Sequence, residues 1–392
     1  LIGANAAGKT NIVQALKFLK DIAKDGVDNA ISLHGGKYFV NSKLWNQDSK
    51  FDIKFSFSGV DFESNLIGDI LLGKLYTLDY QLTITHIHQE PKLLVINDHI
   101  KAGTYRILIA VSSDPSITKE HITVARKKID ELQENDMPLD YINVESAFSS
   151  DAYLRQVTHS NGITFSQENS FLLLSDNPFG HPLRNSISDI GIYDFSSRAM
   201  KQESSIIGRK ELEPDGSNLT LVLKRIMEDE QKRHQFLLLL EYALPFIKNV
   251  TIEAANGRSL VALLTEKYDE SFALPSVFFS EGTISVIALI IVLFFEEKSV
   301  VVIEEPERYV HPSLLAKLVE LMKDASRNKQ VRRTTHSPEI VKHAVVENLL
   351  LVQRDKEGFT TASRPEASDD VRVFLQNEIG LDDLFIDNLL GV

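Results

Sequence analysis

The chain has 392 residues, 43% of them apolar and 25% charged, a composition that suits a globular protein with a sizeable core and excludes a disordered one. Its net charge of −13 offers no global attraction to nucleic acid or anionic lipid, so a DNA contact would need a local basic patch. Cysteine is absent, which excludes disulfides, thiolate zinc sites and Cys nucleophiles and fits a cytoplasmic location, and the longest apolar run, Val286–Phe295, is too short to span a bilayer.

Leu1-Ile2 stand directly before a Gly-rich loop that normally follows a full buried strand, so more of that strand is expected ahead of Leu1. Gly3 to Thr10 lead into a helix with Ile12, Leu16, Leu19 and Ala23 on one face, ending near Gly26. Phe51, Ile53, Phe55 and Phe57 alternate with polar residues, as do Leu78, Tyr80, Leu82 and Ile84, and Leu93–Ile96 and Tyr105–Val111 add strands. Residues from about 50 to 111 therefore read as an antiparallel β-lobe. A charged helix follows at 118–134, then a loop-rich region from about 136 to 210. After Glu213-Pro214-Asp215-Gly216-Ser217-Asn218 the pattern predicts one long helix from Leu219 to Tyr242, interrupted near Pro245, and short strands near 250–253 and 260–264. From Ser280 onward helices alternate with apolar strands, as in an α/β lobe with a largely parallel sheet.

Four motifs carry chemistry. Gly3-Ala4-Asn5-Ala6-Ala7-Gly8-Lys9-Thr10 matches the phosphate-loop pattern at every fixed position. Its glycines let backbone N–H groups turn toward phosphate oxygens, Lys9 reaches the β- and γ-phosphates, and the Thr10 hydroxyl ligates Mg²⁺. Nucleotide contacts are expected from Gly3, Asn5, Ala6, Ala7, Gly8, Lys9, Thr10 and Asn11. Glu304-Glu305 stand at the carboxyl end of the apolar run Ser299–Ile303, where α/β sheets bind ligands. Glu304 is the candidate to hold Mg²⁺, and Glu305 to polarise the attacking water. Ser280 and Gly282 open the apolar helix that precedes this strand, where a hydroxyl, backbone N–H groups and the helix dipole can meet an anion; N-capping is the simpler use of Ser280. His336, in Thr334-Thr335-His336-Ser337-Pro338, follows another strand and can sense the γ-phosphate, and His311 is expected to begin the next helix.

Read in this order, the motifs resemble the RecF-like and OLD-like branch of ABC ATPases, a group that includes predicted AAA-type ATPases of bacterial antiphage and abortive-infection systems. Ser280-Glu281-Gly282-Thr283 is similar to that group's signature, Ile303-Glu304-Glu305-Pro306-Glu307 with His311-Pro312 to its acid motif, Thr335-His336-Ser337-Pro338-Glu339 to its switch, and the segment 213–219 to one common there. The resemblance implies an ABC-type P-loop NTPase head of the α/β class with an antiparallel β-lobe and an inserted, mainly helical or loop-rich subdomain. The expected division is 1–117, 118–215 (the insertion) and 216–392. It further implies a head-to-head homodimer holding two ATP molecules, each on one subunit's phosphate loop and capped by the other's Ser280 and Gly282. A Mg²⁺-sensing glutamine of the group lies between the first helix and the β-lobe, where Gln47 is the candidate. Two departures stand out: Arg332-Arg333 occupy a strand that is apolar in the group, and Arg308-Tyr309 replace a small turn, a change expected not to touch the chemistry.

The function expected from the resemblance is an antiphage ATPase whose ATP-dependent closure controls a separate effector, a nuclease or toxin, because only 56 residues follow His336. A RecF-like clamp on DNA is the alternative, with Arg126-Lys127-Lys128 and Arg332-Arg333 as its basic clusters. A transporter subunit and a coiled-coil chromosome organiser fit less well.

Overall fold

The computed structural model describes residues 1–34, 50–66, 69–86, 93–102, 105–110, 180–365 and 380–387. The chain divides into two units, Leu1–Leu16 with Asp189–Val392, and Lys17–Ser188, and the boundary falls within helix α1 (Lys9–Asp25). Among the described residues, no helix is long and apolar enough to cross a membrane.

In the unit Lys17–Ser188, α1 is followed by α2 (Val27–Leu33), four strands and α3 (Gly180–Ser188). The strands β1 (Lys50–Leu66), β2 (Asp69–His86), β3 (Leu93–Ala102) and β4 (Tyr105–Ala110) form an antiparallel sheet, as their alternating pattern predicts. β2 is central: it pairs with β1 from Lys50↔Thr85 to Leu66↔Asp69, with β3 from Leu78↔Ala102 to His86↔Leu93, and with β4 from Ile70↔Ala110 to Leu75↔Tyr105. The helix expected at 118–134 and Gln47 lie outside the described residues.

The other unit is built on a parallel sheet. Its strands are β5 (Gly191–Tyr193), β10 (Val300–Glu304) and β11 (Gln330–Thr334), in the order β11-β10-β5. Ile2 forms parallel bridges to Thr335 and to Leu351, at the start of β12 (Leu351–Arg354), and β13 (Thr360–Ser363) pairs antiparallel with β12. The segment leading into the phosphate loop therefore runs between the end of β11 and β12, and β11 separates it from the acid strand β10. α4 (Ser197–Met200) and β6 (Ser204–Ser205) lead to α5 (Leu219–Glu228) and α6 (Glu230–Ala243). An antiparallel sheet follows from β6, β7 (Ile247–Ala255), β8 (Ser259–Glu266) and β9 (Ala273–Pro275).

The helix expected as one piece over 219–242 is two helices. Asp229 adopts extended backbone (φ −93°, ψ 119°) and its carboxylate accepts from Gln231 N–H (3.0 Å) and Lys232 N–H (3.1 Å), so it caps α6 where the pattern suggested continuation. α7 (Glu281–Phe294) is apolar on every face, and all residues from Thr283 to Leu293 are buried. Such a helix can only be a core helix. Each Leu, Ile or Val that it buries contributes about 1.5–3 kcal/mol. Around it pack α8 (Pro312–Ala325), α6 and α4. α9 (Pro338–Lys342) and α10 (Leu381–Ile386) bury Ile340, Val341 and Leu384 beside Ile2 and Leu351 or against the main core.

Candidate nucleotide site

Leu1 and Ile2 fix the root of the phosphate loop. Ile2 N–H donates to Leu350 O (2.9 Å), Val352 N–H to Ile2 O (2.8 Å) and Thr335 N–H to Leu1 O (2.9 Å). From this root the chain turns sharply: Ala6 has φ 62° and Gly8 φ 106°. Gly8 is required twice over, because its backbone is left-handed and a Cβ there would stand 2.1 Å from Thr360 Oγ1. α1 begins at Lys9, and the first backbone N–H groups of any helix have no intrahelical acceptor, so they and the dipole face the loop.

Lys9 is buried, and its ammonium folds back to donate to Gly3 O (2.7 Å) and Ala4 O (2.9 Å). Burial lowers its pKa, while the charges of Glu305 and Glu307 act in the opposite direction. No ion pair to Lys9 occurs among the described residues, so this cation sits in the loop on carbonyl oxygens alone. Thr10 is exposed at the start of α1. The Asn11 side chain reaches the residue that packs on Gly8, its Nδ2 donating to Thr360 Oγ1 at 3.1 Å.

The two acids stand at the carboxyl end of β10 as their spacing predicts. Glu304 is buried as the last residue of the strand. Glu305 leaves it with φ 42°, a left-handed conformation that costs a non-glycine residue about 1–3 kcal/mol. β11 supplies the brace: Glu305 N–H donates to Thr334 O (3.1 Å) and Thr334 Oγ1 (3.2 Å). His336 follows β11, and its Nδ1 lies 2.8 Å from Glu305 Oε1. The insertion of β11 between the phosphate-loop segment and β10 is thus what brings His336 to the acid pair. Burial alone would raise the Glu305 carboxyl, but hydrogen bonds and charge from Arg308 and His336 hold it below the ordinary carboxylate value.

Ser280 is the N-cap of α7: its Oγ accepts from Thr283 N–H (3.0 Å) and lies 2.7 Å from Thr283 Oγ1. Gly282 packs against the acid-motif loop, where an added Cβ would stand 2.7 Å from Tyr309 O. Among the described residues, no hydrogen bond joins Ser280 or Gly282 to the phosphate loop. The phosphate loop, acid pair and His336 converge within one chain: the Glu305 and Glu307 charges act on Lys9, and His336 lies against Glu305.

Three contacts escape motif reading. Arg354 Nε donates to Ala6 O (2.7 Å), so the β12–β13 hairpin, with Thr360, buttresses the loop from far along the sequence. Glu307 accepts a hydrogen bond from the Thr335 hydroxyl, and burial raises its carboxyl. Arg308, expected to stand apart from the chemistry, does not: its guanidinium binds the Glu305 carboxylate, with Nη2 3.0 Å from Oε2. Its position one turn after the strand brings it back over Glu305, a geometry that the residue it replaces in the motif does not announce. His311 is the N-cap of α8. Arg332 is exposed, whereas Arg333 rests its Nη1 3.2 Å from Met322 Sδ, so β11 accommodates both arginines with only its last residue buried. A cavity of about 530 Å³ lies along β11, lined by Ile2, Arg332, Arg333 and His343 among others and by none of the phosphate-loop lysine, the acid pair or His336.

A phosphate loop opening a helix, two acids at the end of a parallel strand and a histidine brought in by the strand between them define a P-loop ATPase head of the AAA/ABC type. Residues 1–342 match the family described as "AAA domain, putative AbiEii toxin, Type IV TA system", and the chain belongs to that family. No curated protein matches it. Among solved structures it is similar to the SMC head bound to the C-winged helix domain of ScpA, at 10% identity over 93% of this chain and 90% of that one, with a TM-score of 0.44. It is also similar to the Smc head domain with an extended coiled coil bound to the C-terminal domain of ScpA from Pyrococcus furiosus, at 9% identity, 96% and 92% coverage and a TM-score of 0.41. The SMC head domain from Thermotoga maritima matches at 9% identity, 93% and 88% coverage and a TM-score of 0.34.

Proposed function

We propose that the chain binds and hydrolyses ATP as an ABC-type module whose site is completed by a second copy facing it. The observation that carries this reading is Lys9, a buried ammonium at a helix N-terminus held by two carbonyl oxygens. A buried cation so placed is stabilised by an anionic oxygen far more than by a neutral one. The surrounding donors, backbone N–H groups and an ammonium facing carboxylates and a hydroxyl, suit a triphosphate with Mg²⁺. Thr10 and Glu304 would hold the Mg²⁺, with Gln47 a further candidate, and the ion supplies charge neutralisation at the phosphate oxygens. Lys9 and the loop N–H groups then hold and orient the phosphates. Glu305, kept ionised, accepts a hydrogen bond from the attacking water, and His336 steadies that carboxylate through one oxygen. Ser280 and the α7 N-terminus of a second copy cover the phosphates, as the resemblance of the motifs to ABC ATPases implies.

Within ABC ATPases we assign the chain to the RecF- and OLD-like branch on the order of its motifs, and to a cytoplasmic antiphage system in which closure controls a separate nuclease or toxin. The toxin named in the family's description supports this reading. Titration with ATP and phosphate-release assays test the chemistry: Lys9→Ala weakens binding, while Glu305→Gln binds ATP and stops turning over. Turnover by Glu305→Gln at the wild-type rate would remove Glu305 from its role. Purification of the Glu305→Gln protein with ATP from cells carrying the neighbouring genes tests the biology. A stoichiometric nuclease or toxin supports the defence reading, and recovery of the ATPase dimer on DNA favours a RecF-like clamp.

A further inference from the structure

Arg308 has its guanidinium divided between two carboxylates. Nη2 and Nε stand 3.0 and 3.3 Å from Glu305 Oε2, while Nη1 stands 3.5 Å from Asp194 Oδ1. The other Glu305 oxygen, Oε1, lies 2.8 Å from His336 Nδ1, so both oxygens of this carboxylate are engaged by the protein. Asp194 directly follows β5, the strand beside β10, and its backbone is anchored by a 2.9 Å hydrogen bond from its N–H to Pro214 O. The acidic partner is thus fixed in place by the 213–218 segment, for which the nucleotide chemistry has no other use. Arg308 and Asp194 are both about half exposed, with side-chain exposures of 42% and 51%. Glu305 is less exposed, at 23%, but the guanidinium itself stays in contact with solvent, so its exchange between the two carboxylates costs little, and its fork geometry serves either partner.

We propose that Arg308 is a positioning residue that restrains Glu305 between turnovers, and that Asp194 is the acceptor that draws the guanidinium away when Glu305 turns to the attacking water. This rests on the reading of Glu305 as the residue that polarises water. The guanidinium lies closer to Glu305 than to Asp194, which is the restrained position. The turn itself is closed by backbone bonds, Arg308 N–H to Glu305 O (2.9 Å) and Val310 N–H to Glu307 O (3.0 Å), so removing the guanidinium leaves it standing.

The test is steady-state ATP turnover by the full chain with Mg²⁺, for the wild type, Arg308→Gln, Arg308→Lys, Asp194→Asn and the Asp194→Asn/Arg308→Gln pair. Releasing an exposed ion pair predicts that Arg308→Gln raises kcat about threefold with KM for ATP unchanged, and that Asp194→Asn lowers it by a similar factor. Arg308→Lys, a point charge able to serve one carboxylate at a time, falls between the wild type and Arg308→Gln. The double variant matches Arg308→Gln alone, because without the guanidinium Asp194 has nothing to attract. A fall in kcat for Arg308→Gln, an unchanged kcat for Asp194→Asn, or two effects that simply add overturns the restraint. Glu305→Gln separates the two levels: if it is inactive while the Arg308 and Asp194 variants run at the wild-type rate, only the restraint fails. If it retains wild-type turnover, the reading of Glu305 fails and the restraint with it.

Discussion

Replacing Lys9 with alanine strikes the group on which the nucleotide reading depends, and the structure sets the size of the effect. Lys9 is 7% exposed and already makes two hydrogen bonds, to Gly3 O and Ala4 O. Transfer to phosphate oxygens keeps their number and changes the partner from a carbonyl to an anion. Two hydrogen bonds to charged groups are worth about 3–6 kcal/mol gross, and the two carbonyl bonds given up offset about half of that. The net loss of about 1.5–3 kcal/mol corresponds to a rise in Kd of about 10- to 150-fold. Because the ammonium is buried, the loss should persist at high salt, where surface attractions fade. Calorimetric titration of wild type and Lys9→Ala with ATP and with AMP reads it directly: ATP affinity falls by that factor and AMP affinity changes little. A folded variant whose ATP affinity moves less than threefold, or which loses AMP equally, would show that Lys9 does not hold the phosphates.

Other expected outcomes follow from single contacts. Gly8→Ala imposes both a left-handed alanine and a clash with Thr360, and should lower stability by about 1–3 kcal/mol in thermal unfolding, with partial rescue by Thr360→Gly, which relieves the clash and leaves the backbone strain. Asp229→Ala removes the cap between α5 and α6 and should cost about 1 kcal/mol in denaturant unfolding with no change in ATP affinity. Glu296 is buried, which raises its carboxyl above the ordinary 4.5, so the folded state holds its proton more firmly than the unfolded state does. Its stability contribution is therefore full below pH 4.5 and is lost as pH rises through the folded value, so the Tm of Glu296→Gln should gain on the wild type over that rise and not below it.

Much of the site's arrangement is legible in the sequence because it depends on local spacing. The phosphate loop is contiguous, so its glycines, Lys9 and Thr10 are read together, and the acid pair is marked by the apolar strand before it. The antiparallel strands follow a period of two that survives without knowledge of their neighbours. Elements that depend on distant contacts were not legible. Arg354 and Thr360 reach the phosphate loop from nearly 350 positions away, and no local pattern announces such a buttress. The break at Asp229 was hidden because helical periodicity continues across it, and only the extended backbone of that one residue ends α5. The contact of Arg308 with Glu305 is not legible, because it comes from a side chain that folds back one turn, which spacing does not encode. Arg332 and Arg333 read as misfits in a buried strand, yet the edges of β11 leave room for one to face out and the other to lie along Met322.

If one chain supplies the phosphate loop and a second supplies the signature, two variants that are inactive alone should complement each other. Phosphate release by a mixture of Lys9→Ala and Ser280→Arg measures this. In a mixed pair both defects fall in one site, and the other site joins an intact phosphate loop to an intact signature. An equal mixture should recover about a quarter of wild-type turnover, from half the pairs carrying one working site each. Turnover no higher than the sum of the two variants alone, with mixed pairs shown to form, would contradict it.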